Sequence, residues 1–332
     1  MKKRKLTSLI LAIALVGAAF TGCSGSSPAN SAANSVDSAS SQESNADGKH
    51  YKFGFTCETM NNPYFNCIQK TISDTVKAKG DTLISVDPQK DVQKQIDQVN
   101  DLIAQGVDAV FVGPVDYKGI TPALKALKKA GVKVINYDNK VEDTEDIDAY
   151  VGSDNANAGL VVGKDMVKKF PNGGKIAVLG SPAANAAVDR VNGFKEGIKD
   201  GKFTIVSEQD GKGDLQTSMN VMTDILQAHP DIVAIFCGND PSALGALSAC
   251  KSANLTNISI YGVDGSPDAK KEIAKGGQFI GTGAQSPVNI AKTSVDIAYK
   301  ILNGQSVQKD NPVQTFLITK DNVSQYGVDS WQ

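Results

Sequence analysis

The sequence predicts an α/β protein of two Rossmann-like, doubly wound parallel-sheet lobes. Three observations predict it. First, short β-rich runs alternate with longer amphipathic stretches from residue 51 onward. Second, many of the connections between them contain Gly, Pro or Asp. Third, the alternation restarts near residue 176. Alternating β and α segments form a parallel sheet with helices on both faces. Ten such units are too many for one compact core of typical size, so two lobes are expected.

Ten β-rich runs are predicted as strands, five in each half of the chain. They are residues 51–57, 82–86, 109–112, 132–137 and 149–151, then 176–179, 203–206, 233–236, 258–261 and 279–280. The segments between them have the length and periodicity of helices. In residues 92–103, for example, apolar side chains recur at the spacing of one helix face, while polar residues fill the other face.

The two halves repeat each other loosely. The segment VKVINYD at 132–138 resembles ISIYGVD at 258–264, so that one strand in each half ends in an aspartate, Asp138 or Asp264. Ligands of open α/β sheets collect beyond the carboxyl ends of the strands. If the two halves face one another, both carboxylates point into one shared cleft.

Residues 1–22 are predicted to be a signal peptide. A basic cluster at residues 2–5 precedes an apolar run from Leu6 to Phe20, and small residues follow. The apolar run is about 15 residues long, shorter than the roughly 20 that a membrane-spanning helix needs. Residues 24–49 are rich in Ser, Ala, Asn and Gly and cannot bury enough apolar surface to offset the entropy of ordering them. They are predicted to form a flexible tether.

Composition and charge exclude several classes of protein. The 332 residues are 41% apolar and 21% charged, which excludes fibrous, collagen-like and fully disordered chains. Without the basic cluster, 30 basic residues remain against 36 acidic ones, a net charge of −6 that gives nucleic acid no electrostatic reason to bind. Two histidines leave little room for histidine-dependent catalysis or a histidine-built zinc site. No segment has a nucleotide-binding fingerprint, so no cofactor and no metal are expected.

Four cysteines fall within the predicted lobes: Cys57, Cys67, Cys237 and Cys250. Their spacing does not match a metal or redox motif. Two alternatives stay open, a disulfide of unknown pairing in an oxidising compartment or four free thiols.

Six motifs, in this order, identify a family resemblance. They are NNPYF at 61–65, NYD at 136–138, VGSDN at 151–155, NDPSALGAL at 239–247, GVDGSP at 262–267 and GAQ at 283–285. From residue 52 to about residue 307 the chain resembles the type I, ribose-binding-protein-like solute receptors of ABC importers, which have the periplasmic binding protein type I fold.

The resemblance implies two lobes that close on a monosaccharide or polyol about crossover hinges near residues 153–154, 285–286 and 311–315. The N-terminal lobe would comprise residues 50–153 and 286–313, and the C-terminal lobe residues 154–285 and 314–332. Carried over position by position, the ligand-binding residues are Asn62, Tyr64, Phe65, Asp138, Asn139, Asn239, Asp264 and Gln285.

The chemistry of these residues suits an uncharged, hydroxyl-rich ligand. Ionised carboxylates accept hydrogen bonds from adjacent hydroxyls, and such charge-assisted bonds are about twice as strong as neutral ones. The amides of Asn and Gln both donate and accept, as hydroxyls do. Aromatic rings can cover the C–H face of a sugar.

The cysteine that follows the signal peptide also fits a family pattern. Thr21-Gly22-Cys23 resembles the lipobox of bacterial lipoproteins, in which the cysteine is lipidated and becomes the mature N-terminus. The resemblance implies a monomeric, non-enzymatic receptor held outside the bacterial cell membrane by the lipid on Cys23. Its partners would be the permease of an ABC importer and its ATPase. Two alternatives stay open: a ligand-presenting sensor module for a membrane kinase or chemoreceptor, and an extracellular glycosidase, which also needs two carboxylates facing a sugar.

Three positions depart from the family pattern. Asn139 and Val188 stand where the family usually has arginine, and Gly213 stands where it often has an aromatic residue. Two guanidinium groups and one ring expected of a pentopyranose site are therefore missing, which predicts a less familiar sugar, polyol or sugar derivative rather than ribose. Arg190 lies about 200° round a helix from Val188, so it is not expected to compensate. We also expect Asp240 to cap the helix that begins near Pro241.

Overall fold

The computed structural model describes residues 49–332. The predicted signal peptide, Cys23 and the tether before Lys49 lie outside these residues. No helix in the described part of the chain is both long and apolar enough to cross a membrane.

Two six-stranded sheets organise residues 49–332. In chain order the strands are β1 (Lys52–Thr56), β2 (Thr82–Val86), β3 (Ala109–Val112), β4 (Lys133–Tyr137), β5 (Ala149–Ser153), β6 (Gly174–Gly180), β7 (Phe203–Asp210), β8 (Ile232–Cys237), β9 (Ser259–Asp264), β10 (Phe279–Ala284), β11 (Asp310–Val313) and β12 (Phe316–Thr319). The helices are α1 (Pro63–Ala78), α2 (Val92–Ala104), α3 (Thr121–Lys129), α4 (Asn155–Lys169), α5 (Asn185–Ile198), α6 (Leu215–Ala228), α7 (Asp240–Ser252), α8 (Pro267–Lys275), α9 (Pro287–Leu302) and α10 (Val323–Tyr326).

Each sheet belongs to one lobe. The first lobe has the strand order β11-β5-β4-β3-β1-β2, and the second has β12-β10-β9-β8-β6-β7. All neighbouring strands are parallel except β10 and β12. This arrangement confirms the predicted fold class.

Helices cover both faces of each sheet. Because alternate residues of a strand point to opposite faces, each strand contributes side chains to two cores. In the first lobe, Phe53, Phe55 and Phe111 pack with α1 and α9, whereas Val110 and Val112 pack with α2 and α3. The second lobe also has one core on each face of its sheet. The four cysteines of the described residues are free thiols, so no disulfide joins these elements.

The structure contains all ten predicted strands and two more. Strands β11 and β12 form the edges of the two sheets, and each has only four residues. Pro312 lies within β11, and proline is tolerated at a sheet edge because the missing N–H group faces away from the ladder. The internal proline explains why the sequence pattern did not predict β11. Strand β12 is a four-residue, mostly apolar run as short as β3, and it was missed although it has no proline.

The chain passes between the two sheets at three places: between β5 and α4, between β10 and α9, and between β11 and β12. The first and third passages lie side by side. The amide of Asp154 donates to the carbonyl of Val313 at 3.0 Å, and the hydroxyl of Thr315 donates to the carbonyl of Asp154 at 2.9 Å. These bonds tie the two passages to each other.

Helices α4 and α5 approach closely in the second lobe. A Cβ atom on Gly159 of α4 would lie 1.9 Å from the carbonyl oxygen of Arg190 on α5, and one on Gly193 would lie 1.9 Å from the carbonyl oxygen of Ala156. Only glycine fits at such distances. This contact sets the position of Arg190 relative to the start of α4.

Candidate functional site

The carboxyl ends of strands from both sheets meet at one cavity between the lobes. All eight residues singled out in the sequence line this cavity: Asn62, Tyr64, Phe65, Asp138, Asn139, Asn239, Asp264 and Gln285. Glu58 and Arg190 line it as well. We call this space the polar cavity.

Asp138 follows β4 and contributes a buried carboxylate to the polar cavity. Its φ of 62° is unusual for a residue with a side chain. The backbone is held by a bond from its amide to the carbonyl of Val151 at 3.0 Å and by the hydroxyl of Tyr150, which donates to its carbonyl at 2.7 Å. Its Oδ1 is buried and has no hydrogen-bond partner within residues 49–332. Burial raises the pKa of Asp138, while the positive charge of Arg190 opposes that rise.

Asp264 ends β9 in the second lobe and has a φ of 143°. Unlike Asp138, it is well supplied with donors. Its Oδ1 accepts from Nε2 of Gln285 at 2.7 Å and from Nη1 of Arg190 at 3.4 Å, and its Oδ2 accepts from the amide of Asp240 at 3.2 Å. Burial raises the pKa of Asp264, and the nearby guanidinium of Arg190 acts against this.

Arg190 corrects an expectation drawn from the sequence. Its side chain is buried in the cavity wall, and the cavity-facing positions of α5 are Ala186, Ala187 and Arg190 rather than Val188. The expectation assumed that Val188 faces the cavity. Arg190, about 200° round the helix from it, was therefore expected to face away. The missing signal was the packing of α4 on α5, which turns the helix so that Arg190 faces inward.

Three acceptors hold the guanidinium of Arg190. Nε donates to Oδ1 of Asn155 at 2.8 Å, and Nη1 donates to the carbonyl of Gly238 at 2.9 Å and to Asp264. A guanidinium has five N–H groups, and within the described residues Nη2 forms none of these bonds. Arg190 therefore links the first passage between the lobes to two strand ends of the second lobe, with donors left over for a ligand.

Tyr64 and Gln285 continue this network across the cleft. The hydroxyl of Tyr64 donates to Oε1 of Gln285 at 3.1 Å, and Gln285 in turn donates to Asp264. Phe65 packs edge-to-face on Tyr64 with ring centroids 5.5 Å apart. The first lobe thus supplies a wall of two aromatic rings to the polar cavity.

Three asparagines, Asn62, Asn139 and Asn239, line the polar cavity and also form hydrogen bonds within the protein. Asn62 and Asn239 cap α1 and α7, where their Oδ1 atoms accept from the amides of Tyr64 and Ser242, both at 3.0 Å. Asn139 accepts from the amide of Ala186 at 3.0 Å, a bond between the two lobes. These bonds engage Oδ1 in each case, and Asn239 also uses Nδ2 to bind the carbonyl of Gly213.

Asp240 differs from its expected role. The cap of α7 is Asn239, and Asp240 is the first residue of the helix. Its carboxylate accepts from the amide of Ser266 and from the hydroxyl of Thr282, both at 2.7 Å. Asp240 does not line the polar cavity but lies behind Asp264 and supports its position.

Glu58 follows β1 and was not among the predicted ligand residues. It pairs with Lys90 at 3.5 Å, and burial raises the pKa of Glu58. Its place at the carboxyl end of a strand, the signal that identified Asp138, already favours a position at the cleft.

A few direct contacts cross the cleft between the lobes. Nζ of Lys90 in the first lobe donates to the carbonyl of Lys212 in the second at 2.7 Å. Trp331, which follows the second lobe, packs edge-to-face on Tyr64 with centroids 5.8 Å apart. Buried Lys270 holds this tail by donating to the carbonyl of Ser330 at 2.6 Å.

Comparison with known proteins gives the family. A family model described as a periplasmic binding protein domain matches residues 53–306. The chain belongs to this family.

Individual members of the family are similar over most of their length. The ribose import binding protein of Bacillus subtilis (strain 168) is 38% identical over 262 residues, which cover 79% of this chain and 85% of that protein. The xylitol-binding protein of Mycolicibacterium smegmatis is 29% identical over 322 residues, 96% of this chain and 87% of that protein. Both relatives are named as binding proteins rather than enzymes.

A solved structure of the family also superposes closely. It is an ABC transporter solute-binding protein from Mycobacterium smegmatis with bound glycerol, with a TM-score of 0.81 and 33% identity, covering 85% of this chain and 99% of that one. The two-lobed architecture described above is therefore that of this periplasmic binding protein family.

Proposed function

We propose that this periplasmic binding protein captures an uncharged sugar or polyol between its lobes and delivers it to an ABC importer. One observation carries the proposal. Buried carboxylates from equivalent strand ends of the two lobes, Asp138 and Asp264, line a single cavity with Arg190 and several amides, and Oδ1 of Asp138 has no partner there in the described chain. A ligand hydroxyl would supply the missing donor.

The relatives support the same class of ligand. Ribose and xylitol appear in the names of two of them, and glycerol is bound in the third. All three compounds are uncharged and carry adjacent hydroxyls, which suit paired carboxylate, amide and guanidinium groups.

The particular ligand is proposed to differ from ribose. Asn139 and Gly213 line the polar cavity at two of the three departures from the family pattern, and Val188 does not line it. One guanidinium, that of Arg190, serves the site. A cavity with fewer fixed bidentate donors suits a polyol or an unusual sugar better than a pentopyranose.

Location and attachment are part of the proposal. The signal peptide and Cys23 would place the protein outside the cell membrane as a lipid-anchored monomer, with residues 24–49 as the tether. Closure of the lobes about the three passages would convert ligand occupancy into a shape that the permease recognises.

The test is a ligand screen by thermal shift and calorimetry. The panel contains D-ribose, D-allose, xylitol, glycerol and myo-inositol, with ribose 5-phosphate and amino acids as charged controls. We expect micromolar or tighter binding of at least one uncharged member, seen as a rise in melting temperature with ligand concentration, and no binding of the phosphate ester. Preference for a charged solute would overturn the proposal, and sub-micromolar ribose binding with no tighter ligand would overturn the exclusion of ribose.

A further inference from the structure

A second cavity adjoins the polar cavity and is much larger. Its volume is about 490 Å³, against about 50 Å³ for the polar cavity. The two share three lining residues: Asn62 from the first lobe, and Gly213 and Asp264 from the second. We call this second space the outer cavity. A ligand held at Asp264 therefore lies directly beside it.

Six apolar side chains stand among the residues that line the outer cavity. They are Pro63, Leu215, Pro241, Leu244, Pro267 and Trp331. Leu215 is 41% exposed, the one large apolar side chain among residues 49–332 that is exposed to such a degree. Exposed apolar surface inside a concave, partly polar space is typical of a ligand subsite.

Charged groups of both signs surround this apolar surface. Lys90 and Lys212 line it on one side, and Asp214 and Asp268 also belong to it. The bond from Lys90 to the carbonyl of Lys212 joins the two lobes beside the cavity. With Asp264, three carboxylates stand beside two lysines in this lining, so it offers no cluster of a single sign to a charged substituent.

Gly213 is one of the three residues that line both cavities. This residue has no side chain and a φ of 59°, and a Cβ atom there would lie 3.0 Å from Nδ2 of Asn239. Any larger residue would project from the wall at a strained backbone angle. A side chain at position 213 would crowd Asn239, and glycine keeps the junction of the two cavities free of a side chain.

We propose that the outer cavity is a subsite for an uncharged, largely apolar substituent carried by the sugar, such as the aglycone of an alkyl or aryl glycoside. The inference rests on the proposed function and narrows its substrate class to substituted sugars. The hydroxyls of the sugar occupy the polar cavity, and the substituent leaves past Gly213 to contact Leu215, Leu244 and Trp331.

The experiment compares matched ligands in the full protein. Each of D-ribose, D-allose, D-fucose and D-xylose is titrated as the free sugar, the methyl glycoside and the 4-nitrophenyl glycoside. Trp331 is the single tryptophan of the chain, so a nitrophenyl group in the outer cavity quenches the protein's tryptophan fluorescence. For at least one sugar we expect the nitrophenyl glycoside to bind roughly tenfold or more tightly than the methyl glycoside, as burial of an aromatic ring favours, with quenching only by the former.

Two variants assign the effect to the outer cavity. Leu215→Gln removes exposed apolar surface at the start of α6 and is expected to abolish the preference for the nitrophenyl glycoside without changing the affinity for the free sugar. Leu160→Gln alters a half-buried leucine that lines neither cavity and is the matched control, with no expected effect on the preference.

The outcomes separate this inference from the proposed function. If free sugars bind but the nitrophenyl glycosides bind more weakly, or bind without quenching, the subsite is overturned and the sugar-binding function stands. Equal loss of preference in both leucine variants also overturns it. If no sugar, alditol or glycoside binds, the proposed function fails and the subsite with it.

Discussion

Asp138 and Asp264 occupy equivalent strand ends, yet their surroundings differ. Both have backbone angles that residues with side chains rarely adopt, and such strain persists only where surrounding structure enforces it. Asp264 accepts hydrogen bonds from Gln285, Arg190 and the amide of Asp240. Asp138 has a buried Oδ1 without a partner in residues 49–332. The protein therefore fixes the carboxylate of Asp264, whereas Oδ1 of Asp138 is left for the ligand.

This difference predicts opposite effects on stability. Asp138→Asn removes the charge of a buried carboxylate whose Oδ1 has no hydrogen-bond partner within residues 49–332, in a conformation that asparagine tolerates. We expect the melting temperature of the ligand-free protein to stay constant or rise, while ligand affinity falls about 10- to 100-fold, since a hydrogen bond to a charged group contributes about 1.5–3 kcal/mol. Asp264→Asn replaces one of the two acceptor oxygens by an NH2 donor and removes the charge paired with Arg190, so it should lower both the melting temperature and the ligand affinity. Calorimetry measures the ligand affinity, and thermal unfolding measures the melting temperature. Asp231→Asn, at an exposed aspartate, is the control and should change neither quantity.

The burial of Asp138 also predicts that ligand affinity and protein stability change with pH in opposite directions. The raised pKa of Asp138 means that the ligand-free folded protein holds the proton more tightly than the unfolded chain. Its contribution to stability is therefore present at low pH and is lost as the pH rises from the unfolded pKa through the folded pKa. A ligand hydroxyl donates best to the ionised form, so binding lowers this pKa and releases protons, and affinity rises with pH over the same window.

Calorimetry in buffers of different ionisation enthalpy measures the proton release, and thermal unfolding measures the stability. The contribution of Asp138 is isolated by subtracting the same curves for Asp138→Asn. Proton uptake on ligand binding, or an affinity that falls as the pH rises between 5 and 8, would contradict the assignment.

Strand ends were predictable from the sequence, and helix orientation was not. The predicted strands place Asp138 and Asp264 at or just beyond carboxyl ends, where parallel sheets bind ligands, whereas Gln285 followed from the family resemblance. The inward position of Arg190 depends on how α5 is turned against α4. That depends on the contact through Gly159, which joins residues distant in sequence. Gly159 and Gly163 of α4, and Gly193 and Gly197 of α5, recur four residues apart, but this spacing does not identify the facing helix.

At the scale of elements, the contact between α4 and α5 positions the guanidinium of the site. We expect Gly159→Ala to push the helices apart, because its Cβ would lie 1.9 Å from the carbonyl of Arg190. Forced packing of this kind typically costs about 1–3 kcal/mol, and displacement of Arg190 from Asn155 should also weaken ligand binding. The control is Gly277→Ala, where a Cβ meets no atom within 4 Å.

Unfolding in urea and ligand titration of both glycine variants test this account. Gly277→Ala should match the parent protein in both measurements. A Gly159→Ala protein with unchanged affinity would show that the spacing of α4 and α5 does not position the ligand site, even if its stability falls.

At the scale of the whole molecule, few direct bonds hold the lobes together across the cleft. Lys90 bonds to the carbonyl of Lys212, Asn139 bonds to the amide of Ala186, and Tyr64 bonds to Gln285. A typical hydrogen bond contributes only about 0.5–1.5 kcal/mol net. Three such bonds give little preference for the closed form, so the ligand must supply most of the free energy of closure.

Small-angle scattering can therefore follow closure. We expect the radius of gyration of the ligand-free protein to decrease when a saturating ligand from the screen is added, because a ligand that contacts both lobes binds the closed form more tightly. Lys90→Met removes one bond between the lobes and, with it, the ion pair to Glu58 of the polar cavity. It should increase the ligand-free radius, and the radius at saturation should match that of the parent protein. An unchanged radius in the parent protein at saturation would mean that the lobes do not close on the ligand. The three passages between the sheets would then serve as fixed connections rather than hinges.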